Sequence, residues 1–271
     1  VLLLTVVAAV AQIPQRIVSL NLCTDEMLLR LVPSERIASV TWLSRDSDAS
    51  NVSAIAKTVA INHGSAEEVI PAAPDLVLVG EYTAVAATSL LRRTGFRVES
   101  FAIPRDFEGA KDQIRAFGKL TGVQAAADTL IAHIDAGLPA VAAAGTHRPR
   151  ALVLNPNGVT VGPNTLADAV MIRAGLDNIA ARLPLGGYEQ VPLEKLASLD
   201  VEVLIVSGAT QGAPSLATDV LRHPVLQKLS GRMIVVDLPG RLWGCAGPGL
   251  VEATTRLRAA AEAAVARRAS Q

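Results

Sequence analysis

Short apolar runs alternate with amphipathic segments along this chain, and the alternation predicts an α/β protein built on parallel sheets. Residues 16–20, Arg36–Trp42, Asp75–Val79 and Arg97–Phe101 are β-branched-rich runs bounded by turn residues, and read as strands. Between them lie helical patterns at Glu26–Leu31, from Ser65, at Val85–Thr94 and at Phe107–Leu120. The last of these puts Phe107, Ile114, Phe117 and Leu120 on roughly one face. Thr24 or Asp25 is the expected cap of the first helix, and residues 43–54 read as a polar loop. A further helix runs from Val123 to about Ala143, with Pro139 expected to kink or shorten it. The pattern then resumes with strands at Arg150–Asn155, Val201–Val206 and Met233–Asp237. Helices are predicted around Thr165–Ala174, from Val191, at Asp219–Leu229 and at Pro248–Arg268.

The two halves echo each other. In the first, Asn62-His-Gly opens a turn, and Ser65 with Glu68 forms the S-x-x-E capping box of a short helix. Pro71 and Pro74 stop that helix before a strand that ends at Gly80-Glu81-Tyr82. In the second, a proline-started helix carrying Glu194 precedes the strand Val201–Val206. Glu67 lies seven residues ahead of Pro74, and Glu194 seven ahead of its strand. The repetition implies two α/β lobes of related plan: residues 14–121, an interlobe helix over 122–146, and residues 147–271.

Composition removes several function classes. Lys+Arg and Asp+Glu number 25 each, so the chain has no net charge and lacks the basic excess a nucleic-acid binder needs. Hydrophobic residues make up 50% but aromatics only 3%, so the core must be aliphatic. Residues 1–13 combine an apolar run with Ala9-x-Ala11 and read as the tail of a secretory signal, which predicts an exported, soluble protein.

No phosphate loop, dinucleotide fingerprint, G-x-S-x-G elbow or H-E-x-x-H pair occurs, and the four histidines are scattered. Cys23 and Cys245 each precede a predicted helix, one per lobe. A thiol nucleophile at Cys23, assisted by His63, is one reading. A disulfide, or a pair of thiols facing one cleft, is another, and an oxidising compartment favours pairing. Open α/β sheets hold ligands beyond the carboxyl ends of their strands. That places Asn21, Cys23, Trp42, Arg45, His63, Glu81 and Tyr82 on one cleft wall. Asn155, Asn157, Thr210, Trp243 and Cys245 fall on the other, with Trp42 and Trp243 as the main aromatic surfaces.

Several segments together resemble one family. They are Arg16-Ile-Val-Ser-Leu with Thr24-Asp-Glu, Ala66-Glu67-Glu-Val-Ile with Pro74-Asp-Leu-Val-Leu, Leu90-Leu-x-x-x-Gly95, and Glu194 before its strand. The family is the periplasmic solute-binding proteins of ABC importers for vitamin B12, ferric siderophores and haem, and the likeness spans roughly 14–268. It implies two Rossmann-like lobes joined by one long helix, with ligand held between them and no catalytic activity. It also implies Glu67 and Glu194 as the carboxylates that dock onto an inner-membrane permease. The protein would be a monomer with no intrinsic cofactor or metal, its cargo carrying a chelated cobalt or iron. The cleft departs from the B12 binders, which carry several tryptophans there, and the tyrosine usual in haem binders is absent near residue 60.

Overall fold

The computed structural model describes residues 12–140, 147–183, 188–192, 198–207 and 233–270. The signal-like run up to Ala11, Thr210, Glu194 and the predicted helix at 219–229 lie outside the described residues.

The first lobe holds five strands: β1 (Ile17–Ser19), β2 (Ile37–Thr41), β3 (Ile61–Asn62), β4 (Leu76–Gly80) and β5 (Val98–Phe101). They pair in the order β3-β2-β1-β4-β5, every pair parallel. Register between the central strands is set at Ile17↔Leu76, Val18↔Val77 and Ser19↔Leu78. Both faces of these strands are covered, which is why they read as unbroken apolar runs: Leu76, Val77 and Leu78 are fully buried. One face packs against α1 (Leu22–Leu31) and α5 (Phe107–Thr121) through Met27, Leu28, Ile114 and Phe117. The other meets α3 (Ala66–Val69) and α4 (Val85–Arg93) through Val69 and Leu91. Each of these large side chains contributes about 1.5–3 kcal/mol by leaving water.

The second lobe has β6 (Arg150–Leu154), β8 (Asp177–Asn178), β10 (Val203–Val206) and β11 (Ile234–Asp237), ordered β11-β10-β6-β8 and again all parallel. In each lobe the first strand is flanked by the next parallel strand on one side and by a two-strand extension on the other. The order 2-1-4-5 therefore corresponds to 8-6-10-11, and the related plan inferred from sequence is present in the topology. Two additions break the likeness. The two-residue β3 extends the first sheet, and an antiparallel pair of β7 (Val159–Val161) and β9 (Tyr188–Gln190) is inserted in the second. Sequence reading missed β3, β7, β8 and β9 because runs of two or three residues carry no period. The remaining α-helices among the described residues are α2 (Ser53–Ala56), which begins inside the stretch expected to be loop, α6 (Gln124–Gly137), α7 (Leu166–Ala174) and α8 (Gly249–Ala269).

The helix expected from Val123 to about Ala143 is shortened at Pro139, one of the two effects expected of that proline. After Gly122 turns the chain at φ 73°, α6 spans 14 residues and is capped at Leu138, the residue before Pro139. A proline disfavours helical geometry in the residue ahead of it, so Pro139 ends the helix instead of kinking it. The helices α5 and α6 run back alongside each other, pinned by Lys111 and Asp135 at 3.1 Å. Their approach is close: a Cβ on Gly118 would meet that of Ala127 at 2.6 Å. Gly137 likewise lets α6 pack on Val251 of α8. Among the described residues no helix is long and apolar enough to cross a membrane.

Candidate functional site

The site is built from the turns that leave β1, β4 and β5. The chain leaves β1 at Leu20, and Asn21 caps α1, its Oδ1 accepting from the Cys23 amide at 2.9 Å and the Thr24 amide at 3.3 Å. That moves the cap from the expected Thr24 or Asp25 to Asn21. The displaced residues turn inward: Thr24 and Asp25 are fully buried. The same Asn21 reaches across to the neighbouring turn, where Nδ2 donates to Thr83 Oγ1 at 3.3 Å, and that hydroxyl accepts from the Gly80 amide at 3.0 Å. Gly80 must lack a side chain here, because a Cβ would lie 2.6 Å from Asn21 Nδ2. Two strand-end turns are thus locked to each other by one amide.

Above this floor lies a recess of about 430 Å³, counting space open to solvent. Its walls include Asn21, Cys23, Tyr82, Phe101 and Ile103 from the first lobe and Gly244 from the second. Glu81 and Tyr82 stand exposed at its edge, as expected of residues beyond β4. Ile103 and Thr83 were missed in the sequence. Both lie in turns that directly follow strands, the signal that located Glu81.

The cysteines are joined: Cys23 and Cys245 form a disulfide with Cα atoms 5.2 Å apart and a sequence separation of 222. It crosses from the first lobe to the second. No free cysteine remains, which removes the thiol-nucleophile reading of Cys23. The seam has a second, polar attachment next to it. Asn51 Nδ2 donates to the Arg241 carbonyl at 2.6 Å, and Arg241 Nη1 returns a bond to Asn51 Oδ1 at 2.9 Å. Asn51 also donates to Glu26, one turn beyond Cys23 on α1. Glu26 is buried and ion-paired with Arg30 at 3.0 Å.

The remaining expected residues divide. Trp42 is 47% exposed and stacks on His63 with ring centroids 6.5 Å apart. The imidazole Nδ1 is 2.9 Å from Glu68 Oε1, while Glu68 Oε2 accepts from the His63 amide at 2.8 Å. Bonding to His63 draws the Glu68 carboxyl down to a pKa of about 2, and the Ser65–Glu68 capping box predicted from sequence is complete. The imidazole Nε2 is left for a further partner. Arg45 is committed elsewhere, its guanidinium donating to the carbonyls of Ala56 at 3.2 Å and Val59 at 2.7 Å. It braces its own loop. Asn155 and Asn157 sit in the turn between β6 and β7, where Asn157 takes a left-handed φ of 61°. Trp243 departs from its expected role as an open aromatic wall. It is 5% exposed, packed in the core with Leu242 and Leu250.

Beneath Trp42 lies a buried acid. Asp25 Oδ2 accepts from the Thr41 amide, the Thr41 hydroxyl and Ser44 Oγ, the Ser19 hydroxyl also favours its ionised form, and Oδ1 has no hydrogen-bond partner among the described residues. Burial pushes its carboxyl up to a pKa of about 6 against those hydrogen bonds. Among the described residues, no group of three or more His, Cys, Asp or Glu side chains is arranged to hold a metal ion.

Two parallel-sheet lobes, joined across a seam with a recess at the carboxyl edge, define a two-lobed ligand-binding protein. The chain belongs to the periplasmic binding protein family, whose model matches residues 17–230. It falls in the class that includes the binding proteins for vitamin B12, siderophores and haem. A curated relative, the cobalamin-binding protein of Halobacterium salinarum strain R1, is 27% identical over 83% of this chain. This chain spans 63% of that relative's length. Among solved structures, a periplasmic haem-binding protein from Pseudomonas aeruginosa superposes with a TM-score of 0.70 at 24% identity, covering 92% of this chain and 93% of its own. The periplasmic vitamin B12 binding protein of Vibrio cholerae gives 0.68 at 16% identity, covering 93% and 98%.

Proposed function

We propose that this chain is the exported substrate-binding component of an ABC importer, which captures a metal chelate or corrinoid and delivers it to an inner-membrane permease. The observation that carries the reading is the family match across both lobes together with a recess lined from both. The name of the Halobacterium relative favours a corrinoid within that range. In this reading Asn21, Trp42, His63, Glu81 and Tyr82 meet the cargo from one lobe, and Asn155, Asn157 and Thr210 from the other. The protein supplies no metal of its own; a cobalt or iron arrives inside the cargo. His63, held by Glu68 with Nε2 free, has the orientation that suits a ligand to such a metal.

Glu67 and Glu194 are the proposed docking carboxylates. In support, Glu67 is exposed at the first turn of α3 and makes no hydrogen bond or ion pair among the described residues, while its neighbour Glu68 completes the cap. The interlobe boundaries at 122 and 146 belong to the same proposal, as do export to the periplasm and action as a monomer. Native mass spectrometry of protein purified from its own periplasm tests the reading. A retained corrinoid or ferric chelate at one per chain is the expected result. Protein that carries none, and takes up none on titration, would remove it.

A further inference from the structure

We infer that Glu81 sets the charge selectivity of the recess, favouring cargo whose edge is neutral or cationic and rejecting cargo rich in carboxylates. This rests on the uptake reading above and narrows it. Among the described residues that line the recess, Glu81 is the only one with a formal charge. Its carboxylate is exposed and makes no hydrogen bond or ion pair within the described residues. Its backbone amide is used by the Phe101 carbonyl at 3.0 Å, which fixes where the side chain starts.

The side-chain amides around it are partly engaged. Gln113 Nε2 donates to the Ala102 carbonyl at 2.6 Å, and Asn21 uses its oxygen as a helix cap and its nitrogen on Thr83. The cation that follows the recess wall along the chain, Arg105, lines the adjoining surface beyond Pro104 and not the recess itself. A cargo entering this wall therefore meets apolar surface from Tyr82 and Ile103, the Tyr82 hydroxyl, and one free anionic acceptor. An amide or ammonium edge can donate to that acceptor. A carboxylate edge placed there is repelled and leaves Glu81 desolvated without a partner, the kind of mismatch by which interfaces exclude wrong ligands.

The test uses pairs that share a scaffold and differ in charge. They are cyanocobalamin with its monocarboxylate, a ferric trihydroxamate bearing a free amine with its succinylated form, and haem dimethyl ester with haem. In whichever class binds, the wild-type protein is expected to hold the neutral or cationic member more tightly. Glu81→Gln should shrink the gap about two- to fivefold, the size of one exposed charge contact, and Glu81→Lys should shrink it further or reverse it. Circular dichroism checks that the variants stay folded, as expected for an exposed side chain. Equal affinity within the pair, a preference for the anionic member, or a gap unchanged in both variants overturns the inference and leaves the uptake reading standing. If no member of any pair binds, the uptake reading falls and this inference with it.

Discussion

Cys23, in the first turn of α1, and Cys245, ahead of α8, are covalently joined across the seam between the lobes. A bond that closes so long a stretch of chain restricts the unfolded state more than the folded one. The paired variant Cys23→Ser with Cys245→Ser should lose about 2–5 kcal/mol of stability, read as a lower denaturation midpoint. Thiol titration of the denatured, unreduced protein should find none free. If the variant matches the wild type in both stability and small-angle scattering, the bond restrains nothing.

Asp25 gives a pH dependence with a defined sign. Its folded pKa, about 6, lies above the ordinary 3.8, so between those values the folded protein holds more protons than the unfolded chain. Stability should therefore fall as pH rises from about 4 through about 6, by on the order of 2–3 kcal/mol from this group. Asp25→Asn, which keeps the shape and needs no charge, should flatten that part of the profile. A variant with the wild-type slope would refute the assignment.

The two tryptophans should separate in solution. Trp42 is open and Trp243 enclosed, so iodide should quench only part of the emission, and Trp42→Phe should abolish the quenchable part. His63→Ala should shift the Trp42 spectrum by unstacking the pair, at a cost of about 0.5–1.5 kcal/mol. Quenching that persists in Trp42→Phe would mean that Trp243 is open.

Gly80→Ala should disturb the floor of the recess. The added Cβ falls within 3.0 Å of both Asn21 and Thr83, and overpacking of this kind costs about 1–3 kcal/mol. Because the groups struck are the ones that lock the two turns, affinity for cargo should fall along with stability. A variant with both unchanged would show that Asn21 moves aside freely.

For docking, the pair Glu67→Ala and Glu194→Ala should leave folding within about 0.5 kcal/mol and cargo affinity unchanged, while transport or importer ATPase stimulation falls sharply. Loss of affinity with transport retained would place both glutamates in the binding site instead.

The long apolar strands and capped helices were legible because each carries its own periodicity or stop signal. Leu76–Val79 could hardly be anything but a buried strand, and Ser65 with Glu68 announced its cap. The disulfide was one of three open readings, since pairing depends on how two lobes meet and no local pattern records that. The same holds for Trp243 and Arg45. Both sit in turns near the predicted cleft edge, and only tertiary packing assigns one to the core and the other to a pair of loop carbonyls. Asn21 was expected just beyond the end of the first strand, where it lies, but its bridge to Thr83 required knowing that β1 and β4 are neighbours.

The seam between the lobes has a mechanical consequence. Two rigid bodies held at a single point can still rotate about three axes, and holding a second point leaves one. The disulfide supplies one point, and the reciprocal bonds between Asn51 and Arg241 supply another. Packing closes that last angle: Met27 and Phe117 of the first lobe share one core with Leu166, Met171, Leu242 and Leu250 of the second, and Arg173 of the second stacks over Phe107 of the first at 5.3 Å. Any change in the angle between the lobes must therefore shear that core while both attachments hold.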